Sequence, residues 1–277
     1  MSPVRLTVVS DSHLSPRTPE AEANWTAVVD YVAQAVPDLV IHLGDLSLNG
    51  LADPDDLRFG RAQLDRLPVP WLAVPGNHDI GDNPSPATPP EVEVTAEKCE
   101  RWVELVGADR WSVELRDWSL VAINAQLIGS GLEAEEEQRA WLEGELATRA
   151  GRQPVALVTH KPIDAAEAEL SVAPPYRFLP RPDGRPLIDA AGAAGIELVL
   201  SGHVHQYRRL DIGATAHVWA PTTWAVLPDD SQPVVGVKRC GVLSLTLDNG
   251  GFEEVLVEPE GIRQQTLGQD LPDPYLV

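Results

Sequence analysis

Lysine is almost missing from this chain. Lys98, Lys161 and Lys238 are the only three, and 21 basic residues in all face 42 acidic ones. The formal net charge is −21, with a sequence pI near 4.6. A surface this acidic repels long polyanions and anionic lipid, which argues against a protein that wraps DNA or RNA or sits electrostatically on a membrane. A small anionic substrate survives that argument, because bound metal ions can dominate the field of one pocket. The scarcity of lysine beside arginine is a matter of composition and carries no functional reading.

Cysteine is scarce too. Cys99 and Cys240 are the only two, and neither stands in a C-x-x-C pair. They read as reduced, partly buried thiols. No apolar run approaches membrane-spanning length, so no membrane association is expected. The start, Met1-Ser2-Pro3-Val4-Arg5, runs straight into an apolar strand with no separate apolar region and cleavage site, which makes a cytoplasmic protein the expectation. No internal repeat is evident.

What is present is an ordinary globular composition over 277 residues, with 43% hydrophobic and 23% charged side chains. Short apolar runs end in polar residues: Val4 to Ser10 into Asp11, Asp38 to Leu43 into Gly44-Asp45, Trp71 to Val74 into Pro75-Gly76-Asn77-His78-Asp79, Val155 to Thr159 into His160, and Ile196 to Ser201 into Gly202-His203-Val204-His205. Each is strand length, rich in β-branched residues and bounded by turn formers. Helical spacing lies between them over Ala21–Val36, Asp55–Leu67, Thr95–Val106, Glu133–Arg149 and Leu187–Ala194. Strands alternating with helices imply βαβ units around a buried sheet. Three later stretches read as hairpins: Trp111 to Ala125, Tyr207 to Trp219 and Gly241 to Val257, the last turning at Asp248-Asn249-Gly250. They predict a second, more antiparallel sheet. A single domain over residues 1–258 is expected, with 259–277 as a tail or extension that, with the exposed hairpins, offers surfaces for a homodimer.

Five of the seven histidines fall in the motifs Asp11-Ser12-His13, Gly44-Asp45, Gly76-Asn77-His78-Asp79, His160 and Gly202-His203-Val204-His205. Every motif follows a predicted strand, and ligands of open α/β sheets bind beyond the carboxyl ends of the strands. Carboxylate, imidazole and amide oxygen together suit hard or borderline ions such as manganese, iron or zinc. A lone histidine is more often structural than a ligand, so His42, mid-strand, reads as a core or second-layer residue and His217 as part of a hairpin. Asn49 reads as a turn residue with Gly50. The Pro-rich segments Gly81–Pro90 and Pro174–Pro186 read equally as rigid surface loops or as borders of a pocket. In the second, Arg177, Arg181 and Arg185 read as a solvated loop rather than a phosphate recruiter.

The ordered series D-x-H, G-D, G-N-H-D, H, G-H-x-H resembles that of the calcineurin-like metallophosphoesterase superfamily, over roughly residues 4 to 225. The resemblance implies a four-layer α-β-β-α sandwich with two mixed β-sheets. It implies a dinuclear centre of divalent or trivalent ions (manganese, iron or zinc, with a mixed iron and manganese pair allowed). Asp11, His13 and His205 would hold the first ion, Asn77, His160 and His203 the second, and Asp45 would bridge both. A metal-bridging hydroxide would attack phosphorus in line with the leaving group. His78 would contact a phosphate oxygen or protonate the leaving group, and Asp79 would orient His78. Trp224 follows Pro221-Thr222-Thr223, where the family brings a loop towards the site, and is a substrate-contact candidate. The length and the G-N-H-D motif resemble bacterial cyclic nucleotide phosphodiesterases, which carry His-His-Pro at the fourth motif where this chain has His160-Lys161-Pro162. Lys161 would then face solvent or add positive charge near the phosphate. The resulting expectation is hydrolysis of a small phosphodiester, of cyclic nucleotide or glycerophosphodiester type. A phosphomonoesterase is the alternative, followed by a nuclease and a non-catalytic scaffold.

Overall fold

The computed structural model describes residues 2–86, 88–149, 151–163, 178–179, 195–249, 251–272 and 274. The helix expected over Leu187–Ala194 lies outside them, as do Arg177, Arg181, Arg185 and all of Pro174–Pro186 but residues 178–179. In chain order the elements are β1 (Val4–Val9), α1 (Pro19–Ala35), β2 (Leu39–His42), α2 (Pro54–Leu64), β3 (Trp71–Ala73), α3 (Asn77–Ile80), α4 (Ala96–Leu105), β4 (Trp111–Leu115), β5 (Trp118–Ala122), α5 (Glu133–Arg149), β6 (Val155–Val158), β7 (Ile196–Ser201), β8 (Arg208–Ile212), β9 (Thr215–Trp219), β10 (Val242–Asp248) and β11 (Gly251–Val257).

Local chemistry sets the helix ends. Pro19 opens α1 with Glu20 and Glu22 in its first turn, and Val36 closes it in the left-handed region at φ 46°. Asp53 caps α2 by accepting from Asp55 N at 3.1 Å, and Thr95 caps α4 by accepting from Lys98 N at 3.3 Å. The spacing predicts α2 as far as Leu67, but it stops at Leu64. Pro68 disfavours helical backbone at Leu67, and the chain turns off instead through Leu67 N donating to Leu64 O.

Two mixed sheets form, in the orders β11-β10-β1-β2-β3 and β4-β5-β6-β7-β9-β8. Parallel strands β1, β2 and β3 make one centre, and parallel β5, β6, β7 and β9 the other. The three hairpins do not gather in the second, more antiparallel sheet that they predict. The β10–β11 hairpin edges the first sheet, while β4 and β8 turn back at the two edges of the second. Hairpins thus finish one edge of the first sheet and both edges of the second, while parallel β3 forms the remaining edge.

The period-2 alternation of strands builds the layers. Val4, Leu6, Val8, Leu39 and Ile41 meet Leu120, Ala122, Ala156, Val158, Leu198 and Leu200 between the sheets. The alternate residues Val9 and Val40 face Trp25, Val28 and Val32 of α1, and Val121, Leu157 and Val199 face Leu142 and Leu146 of α5. The four-layer α-β-β-α order follows. The segment after β11 returns to the first outer layer, where Leu267 and Leu271 are buried and Val226 N donates to Gln265 O at 2.9 Å. Both cysteines are free and buried, and burial pushes their thiols up to about 12 for Cys99 and about 11 for Cys240.

Trp118 ties the two sheets. It is buried between them, its indole N–H donates to Asp248 O at 2.9 Å, and its ring meets Phe252 edge-on at 6.1 Å. Trp118→Ala is expected to cost about 3–5 kcal/mol in urea unfolding. A loss below about 1 kcal/mol, the range of ordinary substitutions, would show that the sheets are held elsewhere.

Candidate metal centre

Each motif sits where its strand runs out. Asp11 and His13 follow β1, Asp45 follows β2, Asn77, His78 and Asp79 open α3 after β3, His160 follows β6, and His203 and His205 follow β7. Parallel strands end at a common edge, so the two parallel centres deliver their motifs to one place. Three overlapping groups result, each with its ligand atoms within 4.8 Å of one another: Asp11, His13 and His205; His13, Asp45 and His78; Asp45, His160 and His203. Asn77 joins the third group through its Oδ1, 3.2 Å from His160 Nε2. The seven residues expected to bind metal, and His78, therefore stand together, with Asp45 shared between two groups.

The backbone there is strained. Asp11, His13, Asp45, His203 and His205 all have φ between 44° and 67°, the left-handed region that side chains disfavour. Such residues cost on the order of 1 kcal/mol each and persist only where the surroundings over-determine them. Here Asp11 N donates to Gly44 O at 3.0 Å, His13 N to Asp45 O at 3.0 Å and His203 N to Asp11 Oδ2 at 3.0 Å. Gly76 is needed for closeness: a Cβ on it would lie 2.2 Å from Asp45 Oδ1.

The donor set fits cations. His160 Nδ1 is 2.7 Å from Leu43 O, and His205 Nδ1 is 2.7 Å from Ala225 O. A carbonyl only accepts, so each Nδ1 carries the proton and each Nε2 presents a lone pair. Those lone pairs face other acceptors. His160 Nε2 lies 3.4 Å from Asp45 Oδ2, and His205 Nε2 lies 3.3 Å from Asp11 Oδ1. Acceptors that converge in a buried site repel unless a cation sits among them. A second proton on the rings answers the same demand. Burial works against charge on His160, yet Asp45 raises it to about 9, and Asp11 raises His205 against the same penalty. Burial also disfavours charge on Asp45, but His160 and His78 outweigh it and hold that carboxyl well down. His13 is pushed well below its ordinary value by burial and by His78.

Other expectations are redrawn by the geometry. Asp79 does not orient His78. Its carboxylate accepts from Leu46 N at 3.1 Å, Ser47 N at 2.8 Å, Ser47 Oγ at 2.6 Å and Gly76 N at 2.9 Å, so it clamps the loop that carries Asp45. Adjacent helical residues point apart, which is why a neighbour in sequence is not a neighbour here. Burial and then the Asp45 charge raise Asp79 to about 6. The His78 ring is set instead by Leu48 O, 3.1 Å from its Nδ1. Lys161 does not face solvent, and its charge is met by protein partners. It is buried, and its ammonium pairs with Asp82 and donates to Asn83 Oδ1 at 2.8 Å. Trp224 is buried with its ring 4.8 Å from His13, a floor under that imidazole rather than a surface offered to substrate. Asn49 turns the chain, its carbonyl accepting from Ala52 N and Asp53 N. His217 lies in β9 opposite Val199 and Leu210 and joins none of the groups. Sequence reasoning passed over Ser12, the one residue between two expected ligands. Its Oγ is 2.9 Å from His42 Nε2, and burial pushes His42 down to about 4.

Residues 4–207 match the calcineurin-like phosphoesterase family. The chain belongs to it. Among curated proteins it is similar to the human serine/threonine-protein phosphatase CPPED1, at 26% identity over 57% of this chain and 50% of that one. It thus spans about half the length of that relative. A probable cyclic nucleotide phosphodiesterase of Moraxella catarrhalis is 27% identical over 73% of this chain and 71% of its own length. Among solved structures, a dimetal phosphatase from Danio rerio superposes with a TM-score of 0.61 at 14% identity, over 94% of this chain and all of that one. GAP50, the anchor in the inner membrane complex of Plasmodium, superposes at 0.63 with 13% identity, over 95% and 87%. At those identities the superpositions speak for the phosphoesterase fold alone. No helix among the described residues is long and apolar enough to cross a membrane.

Asp79→Asn tests the clamp. An amide has one accepting oxygen where the carboxylate has two, so backbone donors of the Asp45 loop lose their partner. The expected loss is about 2–3 kcal/mol, in line with hydrogen bonds to a charged group, read as a lower melting temperature together with reduced metal content. Unchanged melting and metal content would show that the clamp is dispensable.

Proposed function

We propose that this phosphoesterase hydrolyses a small phosphodiester, of cyclic nucleotide or glycerophosphodiester type, with two metal ions from among manganese, iron and zinc. The observation that carries metal dependence is the convergence of buried acceptors around Asp45. Asp11, His13 and His205 would hold one ion, Asn77, His160 and His203 the other, with Asp45 between them. Ions held there supply the acidity that makes water a nucleophile at neutral pH and the charge that offsets a phosphate. The chain's own residues supply position. Leu43 O and Ala225 O fix the tautomers of His160 and His205, keeping Nε2 basic. The His78 amide donates to Asp45 Oδ1 at 2.8 Å, and Leu48 O holds its Nδ1–H. The part of His78 in catalysis then falls to Nε2, which donates only when the ring is doubly protonated and as imidazolium would give its proton to a phosphate oxygen or to the leaving oxygen.

The diester reading is supported by the match to a probable cyclic nucleotide phosphodiesterase, which spans nearly three quarters of both chains. A monoesterase is favoured by the likeness to CPPED1, over a shorter stretch. The net charge of −21 favours a small substrate over a nucleic acid polymer.

Hydrolysis of bis(p-nitrophenyl) phosphate beside p-nitrophenyl phosphate, with manganese and with a chelator, separates the readings. The expected result is chelator-sensitive turnover that favours the diester. A preference for the monoester would move the assignment to a phosphatase. His78→Ala is expected to keep its metal and to lose about 10²–10⁴-fold in kcat, the usual share of a general acid. Full activity in that variant would remove His78 from the mechanism.

A further inference from the structure

Three loops meet beneath the metal centre, and one buried imidazole joins them. His42, at the end of β2, has Gly44 N 3.2 Å from its Nδ1, Ser12 Oγ 2.9 Å from its Nε2, and no exposed surface. A backbone N–H only donates, so Nδ1 accepts and the ring proton is on Nε2. That proton is then donated to Ser12 Oγ. The Ser12 hydroxyl, having accepted, donates onward to Thr223 Oγ1 at 2.8 Å, and Thr223 closes the chain on Ser10 O at 3.5 Å. Read in the other direction, the Ser12 proton would find no acceptor among these contacts. The direction is therefore fixed from Gly44 to the backbone of β1.

The residues on this path lie beside the first group in the chain or reach it through neighbouring hydrogen bonds. Ser12 lies between Asp11 and His13. Thr222, beside Thr223, donates its Oγ1–H to Asp11 O at 2.8 Å, and Ala225 O holds the Nδ1 proton of His205. Gly44 precedes Asp45, whose carbonyl takes the His13 amide. Asp11, His13, Asp45 and His205 all hold left-handed backbone that relaxes unless it is pinned. The other group is oriented differently: His160 takes its tautomer from Leu43 O, a backbone atom that Ser12 does not touch.

We propose that His42, acting through Ser12 and Thr223, is a positioning residue that sets the geometry of the Asp11–His13–His205 group and so its affinity for metal. This rests on the metal-dependent reading above. No step of the reaction passes through His42; it decides whether the first ion is held.

The test is manganese binding to the full chain, stripped with chelator, followed by calorimetry and metal analysis, with the melting temperature of the stripped chain as control. Ser12→Ala removes the acceptor with little change of volume, His42→Leu removes donor and acceptor, and His42→Gln keeps an N–H within reach of Ser12. In Ser12→Ala and His42→Leu one of two binding events is expected to weaken roughly tenfold to a hundredfold, as outer partners of metal ligands do. The other event and the stripped melting temperature should hold, and His42→Gln should recover most of the loss. Two unaltered events in Ser12→Ala would overturn the proposal, whatever His42→Leu does to folding. Equal weakening of both events with a parallel fall in stripped melting temperature would also overturn it, in favour of a merely structural role. A wild-type chain that binds no pair of ions overturns the metal-dependent reading and this one together. Two events in the wild type matched by Ser12→Ala overturn this one alone.

Discussion

Acceptors facing acceptors in a dry cluster are the constraint on which the rest of this protein depends. Two imidazole Nε2 atoms, two ligand carboxylates and an amide oxygen point at one another within hydrogen-bond distance or little more. Nothing else in the described core has that character. Metal ions among these acceptors, or a second proton on the rings, relieve that repulsion, and the arrangement is built at a cost: five candidate ligands adopt left-handed backbone. Ions held there would bind the folded chain and not the unfolded one, so metal binding would also be folding energy. Strain at the ligands and affinity for metal are two sides of one balance.

The same constraint explains an acidic protein that handles phosphate. The chain as a whole carries a formal charge of −21. At the centre, two divalent ions held as proposed would outweigh the two carboxylates and leave a positive site, even with Asp79 counted behind it. A small anion meets that local field once it is inside the site, while a long polyanion must also lie along the acidic surface. Size selection of this kind needs no basic groove.

The sequence carried the site well because each expected ligand is of a distinctive type and stands just past an apolar run. Asp11, His13, Asp45, Asn77, His160, His203 and His205 all arrive at one edge. What stayed hidden was whatever depends on contacts distant in the chain. Asp79 was set beside His78 because adjacency was taken for contact, whereas it reaches back 32 residues to Ser47. The link from Ser12 to Thr223 spans 211 residues and leaves no local pattern. Hairpins were legible from alternation and turn residues, but which sheet each one edges is decided by packing between layers. The end of α2 was the reverse case: Pro68 announced it locally, and helical spacing alone ran past it.

Lys161 shows how one buried charge organises the loops beside the expected ligands. In the resembling phosphodiesterases a second histidine follows the fourth-motif ligand, and here a buried ammonium takes its place. A buried cation needs its partners, since removing one leaves an uncompensated charge. Lys161 therefore draws in Asp82 and Asn83, and Asn83 donates in turn to Ala125 O and Ile128 O, each at 2.9 Å. The stretch after Gly-Asn-His-Asp and the exit of β5 become one fixed wall beside His160. The change from histidine to lysine thus acts on this wall and leaves the set of expected ligands intact, because the charge it introduces is answered by Asp82 and Asn83.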